Sequence, residues 1–450
     1  MNRPLTPREL RIVIESIHLK QFKNFQDATL KLGPLTILIG ANAVGKSNLR
    51  DAFLFLHGIG RGYKLADILG ESYAGGERVW SGTRGGVREV AYAGSDSFEL
   101  SVDMRLTKEY GALSPVKYQI RVSVAESAIK APRIVEESLN YPHVVGLRLY
   151  AKGETGFRTN GREESGTDRL SVSLLPQRGT RRMTPISCPA NQPILSQVSE
   201  YDEKSGREPR ALSRSVLHEL REFRFLDLSP SQMRIPSQPG QTILGDRGEN
   251  LSSVVLAIWR GDALRREAVL EWVRKLTPMD VEDFKFEPDA AGRILLMIKE
   301  KSGRIVSATS ASDGTLRFLA ILAALFGPTP ASFYFIEELE NGIHPTRLGL
   351  LVELIESQTK RRGIQVVATS HSPQLLQFLS QESLQHASLV YRLPDHPEAR
   401  IKRIVDIPDA QRVIKEQPVS VLHASSWFED VLDFAEGGET EPVAEGQPAS

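Results

Sequence analysis

The chain has 450 residues, enough for two or three domains' worth of core. Lysine plus arginine equals aspartate plus glutamate at 56 each, so net charge selects no partner, and any DNA surface would have to be a local patch. The one cysteine, Cys188, excludes an intrachain disulfide and fits a reducing cytoplasm; the N-terminal segment has no apolar signal core, and the longest apolar stretch, 316–326, is interrupted by Arg317 and too short to span a bilayer. The expectation is a soluble, cytoplasmic chain with no membrane partner.

Residues 12–19 alternate toward a strand, and after a turn 28–32 read as a second. The run LTILI, 35–39, has the apolar pattern of a short buried strand. Gly40, four residues, Gly45, Lys46 and Ser47 follow, and an amphipathic helix is predicted to about His57. Strand, glycine-rich turn and helix in this order make a complete Walker A phosphate loop. The candidate nucleotide-binding residues are Gly40, Ala41, Asn42, Ala43, Val44, Gly45, Lys46, Ser47 and Asn48. The glycines let backbone N–H groups turn inward around phosphates. Lys46 can neutralise β and γ oxygens, Ser47 can offer its hydroxyl to Mg²⁺, and the helix N-terminus favours an anion.

Residues 87–90, 98–106 and 116–124 read as strands of an antiparallel meander. Over 152–210 periodicity fades and Gly, Ser, Arg and Pro dominate, so this is read as a loop-rich insertion. Its arginines (158, 162, 169, 178, 181 and 182) are read as a solvated surface in preference to a nucleic-acid site. A helix over 211–223 and a strand over 223–228 restore order. Asn250 is placed to cap a helix running to Trp259, a further helix covers 263–276, and 281–286 with 294–299 form a hairpin. From Gly437 onward the chain has almost no apolar content and reads as a disordered tail.

Three closely spaced segments supply the rest of the chemistry. Ser312, Asp313, Gly314 and Thr315 open a strongly apolar helix stopped by Gly327 and Pro328, which makes a second anion-suited helix start. One chain needs only one γ-phosphate cradle, so this one is assigned to the nucleotide of another subunit. SFYFIEE, 332–338, is an apolar strand ending in two carboxylates, a Walker B element. Glu337 would hold Mg²⁺ and Glu338 would orient or deprotonate the attacking water. A helix over 346–360 stops at Gly363, and IQVVATSHSP, 364–373, is another buried strand. It delivers His371 to the strand end where α/β sheets bind ligands, within reach of a γ-phosphate. His344, in the turn after Walker B, is read as a packing or interface residue.

In this order the motifs resemble the ABC-type ATPase heads of the RecF, SMC and OLD families, a group of AAA-family ATPases, and most of all the OLD-like and RecF-like ATPases of bacterial defence and repair. FKNF before LTILIGANAVGKSN, SDGTLR as signature, IEELENGIHP as Walker B with D-loop, and ATSHSP as switch-histidine loop carry the likeness. The resemblance implies an α/β P-loop NTPase with a β-rich N-terminal lobe, a mostly parallel core sheet flanked by helices, and an inserted helical or loop arm. Boundaries follow as 1–135 for the Walker A half, 136–240 for the arm, 241–410 for the second half and 411–450 for a C-terminal extension. It also implies ATP and Mg²⁺ sandwiched between two copies. Ser47 and Glu337 would then serve the metal, Glu338 and His371 catalysis, and Ser312, Asp313 and Gly314 the partner's nucleotide. Phe22, Lys23 and Asn24 would lie near the base or ribose.

The function implied is a nucleotide-driven switch in a homo-oligomer that acts on a separate effector, such as a nuclease in antiviral defence. The alternative is a RecF-like repair ATPase that binds DNA directly. The long separation of Lys46 from Ser312 and the SDG signature argue against a transporter. Intact Lys46, Ser47, Glu337 and Glu338 argue against a non-hydrolysing scaffold. Two departures stand out: Glu337 replaces the usual aspartate, and no Q-loop glutamine is assigned. The stretch after His371 is too short for the C-terminal nuclease of OLD proteins proper.

Overall fold

A computed structural model describes residues 10–108, 113–124, 131–142, 154–163, 168–174, 184–201, 207–277, 279–393 and 396–407. The strand Leu35–Ile39 is buried at every position because it lies inside a six-stranded sheet. The order is Arg224–Leu226, Phe333–Ile336, Gln365–Ser370, Leu35–Ile39, Ser388–Tyr391, Arg400–Arg403. All pairings are parallel except the last. The register sets Leu226 beside Ile336, Ile336 beside Ala368, and Ser370 beside Ile39. Asp227, Glu337, His371 and Gly40 therefore leave the sheet along one rim, the C-terminal edge where such sheets place their ligands.

Alternation along these strands feeds two cores. Leu35, Ile37 and Ile39 join Tyr334, Ile336, Val366 and Ala368 on one face, under the helices Asp313–Phe326 and Pro345–Arg362. Leu38, Phe333, Phe335 and Val367 face the other way, toward the helix Lys46–Gly60. There Phe53 packs on Phe333 with ring centroids 5.0 Å apart and on Phe335 at 5.8 Å. Covering both faces is what a parallel sheet of continuous apolar strands requires.

The second lobe is an eight-stranded antiparallel sheet ordered Thr184–Pro189, Arg169–Leu174, Glu154–Glu163, Arg133–Pro142, Leu113–Ser123, Ser97–Lys108, Leu10–Phe22, Phe25–Lys31. Gln365 joins the lobes: its side chain accepts from the Ile14 N–H and donates to the Ile14 carbonyl, both at 2.8 Å. Deep in this lobe the Glu137 carboxylate accepts from Tyr118 Oη and from the N–H groups of Ile194 and Leu195, tying the helix Ile194–Glu200 to the sheet. Burial pushes that carboxyl up to about 7.

Several expectations change. Residues 154–163, 169–174 and 184–189 are strands that extend the N-terminal lobe's sheet, where a loop-rich insertion was expected. They are short and separated in sequence by polar stretches, which leaves little periodicity to read. Arg169 is spent on its neighbour, donating to Ser187 Oγ and the Ser187 carbonyl, while Arg178, Arg181 and Arg182 lie outside the described residues. Residues 86–89 form a short helix, not a strand, because Gly85 turns the chain at φ 71°. Asn250 occupies its N-cap position but makes no capping bond. Its side chain accepts from the Gly245 N–H and donates to the Ile243 carbonyl, holding the preceding loop. The tail expected from Gly437 lies outside the described residues. No helix among the described residues is long and apolar enough to cross a membrane.

Candidate functional site

Gly40–Ser47 forms a tight loop between Leu35–Ile39 and the helix Lys46–Gly60. Two glycines are obligatory. A Cβ on Gly40 would lie 2.3 Å from the Val390 carbonyl oxygen, and Gly45 has φ 126° with Asn24 pressed against it. Ala43 is held at φ 64°, a strained conformation costing about 1–3 kcal/mol in a non-glycine residue. Ala41, Asn42 and Ala43 are exposed, Val44 and Lys46 are buried, and Ser47 and Asn48 are partly buried.

Asn24 clamps the loop from behind. Its amide donates to the Val44 carbonyl at 3.0 Å, and its oxygen accepts from Asn48 Nδ2 at 2.7 Å. Lys23 turns away to the fully buried Asp51, 3.3 Å distant, which Arg84 also contacts at 3.1 Å. Of the FKNF segment, expected near a base or ribose, Asn24 stays against the phosphate loop while Lys23 is engaged by Asp51. The segment braces the loop and the helix behind it.

The Lys46 ammonium donates to the carbonyls of Gly40 at 2.5 Å and Ala41 at 2.6 Å and lies 3.0 Å from His371 Nδ1. Burial pulls its pKa down to about 8, opposed by the charges of Glu340 and Glu338. On its other side His371 Nε2 is 3.6 Å from Glu338 Oε1. Glu338 is half exposed and sits at φ 50°, with its N–H on Thr369 Oγ1 at 3.0 Å and its Oε2 accepting from Asn341 Nδ2 at 2.9 Å. Residues from the segments that follow three adjacent strands thus converge in the sequence Lys46, His371, Glu338.

Glu337 points elsewhere, toward the helix after the loop, where its Oε1 accepts from Arg50 Nε at 2.8 Å. Burial raises its carboxyl above the usual range, with Arg50 opposing. Glu340, which the sequence reading passed over, accepts from the His371 N–H at 2.6 Å. The available signal was a third acid in IEELE, two residues beyond Glu338 in the turn after the strand.

The signature segment lines a different cavity of about 350 Å³ with Gly342, His344 and Arg347. Ser312 Oγ accepts from the Thr315 N–H at 3.2 Å and so caps its own helix. Asp313 is paired with Arg234 at 2.6 Å. A Cβ on Gly314 would come within 2.3 Å of the Gly342 carbonyl oxygen, so glycine here lets the D-loop pack against the signature helix. His344 likewise caps its own helix, its Nδ1 accepting from the Thr346 N–H at 3.3 Å.

A family model described as "AAA domain, putative AbiEii toxin, Type IV TA system" matches residues 35–377. The chain belongs to this AAA-domain family. The protein is an ATPase, and the matched span contains Lys46, Glu338 and His371 together with the signature helix. A relative from Helicobacter pylori (strain ATCC 700392 / 26695), described as "ATP/GTP phosphatase", is 21% identical over 379 residues, covering 82% of this chain and 88% of that protein. Among solved structures, an SMC head bound to the C-winged helix domain of ScpA aligns with TM-score 0.46 and 13% identity, covering 86% of this chain and 96% of that one. The head domain from Pyrococcus furiosus with an extended coiled coil, bound to the C-terminal domain of ScpA, gives 0.45 and 12% over 90% and 99%.

Proposed function

We propose that this AAA-domain ATPase hydrolyses ATP with Mg²⁺ in the cleft between Gly40–Ser47 and Glu338, and that bound nucleotide draws two copies together. The observation that carries the reading is the convergence of Lys46, His371 and Glu338, 3.0 and 3.6 Å apart in succession, in the segments that follow three neighbouring strands. The residues suit both groups. The loop needs glycine at both ends, and the three protons of Lys46 now serve carbonyls and an imidazole that phosphate oxygens can replace. Ser47 and Glu337 are hard oxygen donors. Among the described residues no group of three or more His, Cys, Asp or Glu could hold a metal ion, and Mg²⁺ characteristically takes one or two protein oxygens beside substrate phosphates.

Bound Mg²⁺ would neutralise developing phosphate charge. Lys46 and the loop N–H groups would hold the β- and γ-phosphates. Glu338 would orient the attacking water and take its proton. His371, positioned by Glu340 at its backbone N–H, would pass from Lys46 to the γ-phosphate side and keep Glu338 in register with it. Ser312 and Gly314 line a cavity of their own, with Asp313 between them in sequence, in a chain that already has a complete loop. This supports their serving the nucleotide of a second copy. The closing and opening of that dimer would act on a separate effector such as a nuclease, in the cytoplasm, as part of antiviral defence. The name of the Helicobacter pylori relative supports nucleotide hydrolysis and makes GTP the competing substrate to assay.

Glu338→Gln tests the reading. The amide should spare nucleotide binding and slow turnover by roughly two to four orders of magnitude, the usual worth of a general base. Light scattering after size exclusion should then show a dimer or larger assembly accumulating with ATP and Mg²⁺. Wild-type phosphate release would remove Glu338 from catalysis. Slow release with no nucleotide-dependent change in mass would keep the chemistry and remove the sandwich.

A further inference from the structure

Arg50 lies one turn beyond Ser47 on the helix Lys46–Gly60, so the two side chains share a face. Its Nε donates to Glu337 Oε1 at 2.8 Å, while its guanidinium lies over the Phe225 ring, 5.4 Å from the centroid. Phe225 belongs to the edge strand Arg224–Leu226, which pairs with the Walker B strand itself. Arg50 is therefore steadied by one strand and grips the residue that ends the next. The side chains are only 19% and 23% exposed, so the pair is largely buried, where the cost of desolvating both charges offsets much of their attraction and such a pair is weak evidence for stability. The pair thus calls for another explanation than stability.

Glu337 provides one. It stands where this motif ordinarily has aspartate, and its additional methylene adds reach and a rotatable bond. A carboxylate meant for a metal must present one oxygen in a fixed place, and a glutamate here needs something to take up its freedom. Arg50 shares a pocket with Asp227 and Asp246, so its guanidinium stands among further acids besides Glu337.

We propose that Arg50 is a positioning residue for Glu337, holding one carboxylate oxygen so that the other is left for Mg²⁺. This rests on the proposed metal role of Glu337. The test is a Mg²⁺ titration of the binding of a fluorescent ATP analogue to the full chain, followed by anisotropy. Arg50→Ala should raise the Mg²⁺ concentration needed for half-maximal effect by about tenfold to a hundredfold, the range found when a partner of a metal-binding side chain is removed. Binding in EDTA should stay within about twofold of wild type, the spread expected where no interaction with the nucleotide itself is lost. In a Glu337→Asp background, where the shorter carboxylate falls away from Arg50, Arg50→Ala should add nothing further. Arg50→Lys keeps the charge but drops Nε and should reproduce most of the loss, which covers the case in which the alanine variant does not fold. An unchanged or lowered Mg²⁺ requirement, or an equal loss in EDTA, overturns the proposal. Glu337→Gln separates the two layers. If it leaves the Mg²⁺ requirement unchanged, the metal role of Glu337 fails. If it raises the requirement and the Arg50 variants do not, only the role of Arg50 fails.

Discussion

The phosphate loop and the signature segment are both glycine-containing helix starts suited to an anion, yet the fold treats them differently. The phosphate loop carries its own cation, and residues from distant parts of the chain close around it: Asn24 behind, His371 beside Lys46, Glu338 beyond. The signature segment carries an acid, Asp313, already matched by Arg234, and its serine is occupied in capping. One is a site assembled within the chain. The other has Ser312, Gly314 and Thr315 on the wall of a separate cavity and no cation from its own residues 312–315, as the proposed service to a second copy's nucleotide requires. A helix N-terminus alone is thus ambiguous, and what surrounds it decides whether it binds in its own chain or completes something else.

The largest effect should come from breaking the complete half. Lys46→Ala removes the only side-chain cation in the loop and should weaken ATP binding by about a hundredfold or more, since several charge-assisted bonds are lost together. Unchanged affinity by calorimetry would put the nucleotide elsewhere. Ser312→Arg breaks the other half. It should leave ATP binding to the chain intact and abolish hydrolysis. Mixing it with Lys46→Ala should restore at most half activity per mixed dimer, because each such dimer holds one intact composite site. Recovered phosphate release would confirm that the two halves meet in trans.

A smaller and more graded effect sharpens the same contrast. Burial holds the Lys46 pKa near 8, well below the ordinary lysine value. Below pH 8 the side chain is already protonated, so it adds no pH dependence to ATP binding there. Above pH 8 it is neutral before the phosphates arrive and must take up a proton to bind them. Affinity should therefore fall by up to about tenfold per pH unit as pH rises from about 8 toward 10. Calorimetry in buffers of different ionisation enthalpy should show uptake approaching one proton at the upper end. A pH-independent affinity across that range would mean that Lys46 stays charged in the free protein. The Ser312 variant should keep the wild-type profile, because Ser312 lies in a separate cavity from Lys46.

Legibility followed locality. The strand 35–39, the loop 40–47, the apolar helix after Ser312 and the strands ending in Glu337 and His371 were all readable, because each is a buried run joined to its own punctuation. The contacts that give these motifs their geometry were not. Asn24 reads as an ordinary turn residue until the fold sets it against Val44 and Asn48. Arg50 reads as a charged helix position until Glu337 arrives from nearly three hundred positions along the chain. The 154–189 strands were missed because a sheet partner, not internal periodicity, makes them strands.

What the sequence determined by itself was the chemistry on offer: a phosphate loop with its lysine, paired acids at a strand end, a histidine at another, and a capped helix start. These are written in consecutive residues because backbone conformation and side-chain type act over a few positions. The tertiary structure decided the arrangement. Parallel pairing of Phe333–Ile336, Gln365–Ser370 and Leu35–Ile39 in that order sets Glu338, His371 and Lys46 side by side. It also turns Glu337 away toward Arg50, and it leaves Ser312 on a separate wall. Distances of 3 Å between residues hundreds of positions apart depend on strand order and register, which hydrophobic burial on both faces of the sheet selects and no local stretch encodes.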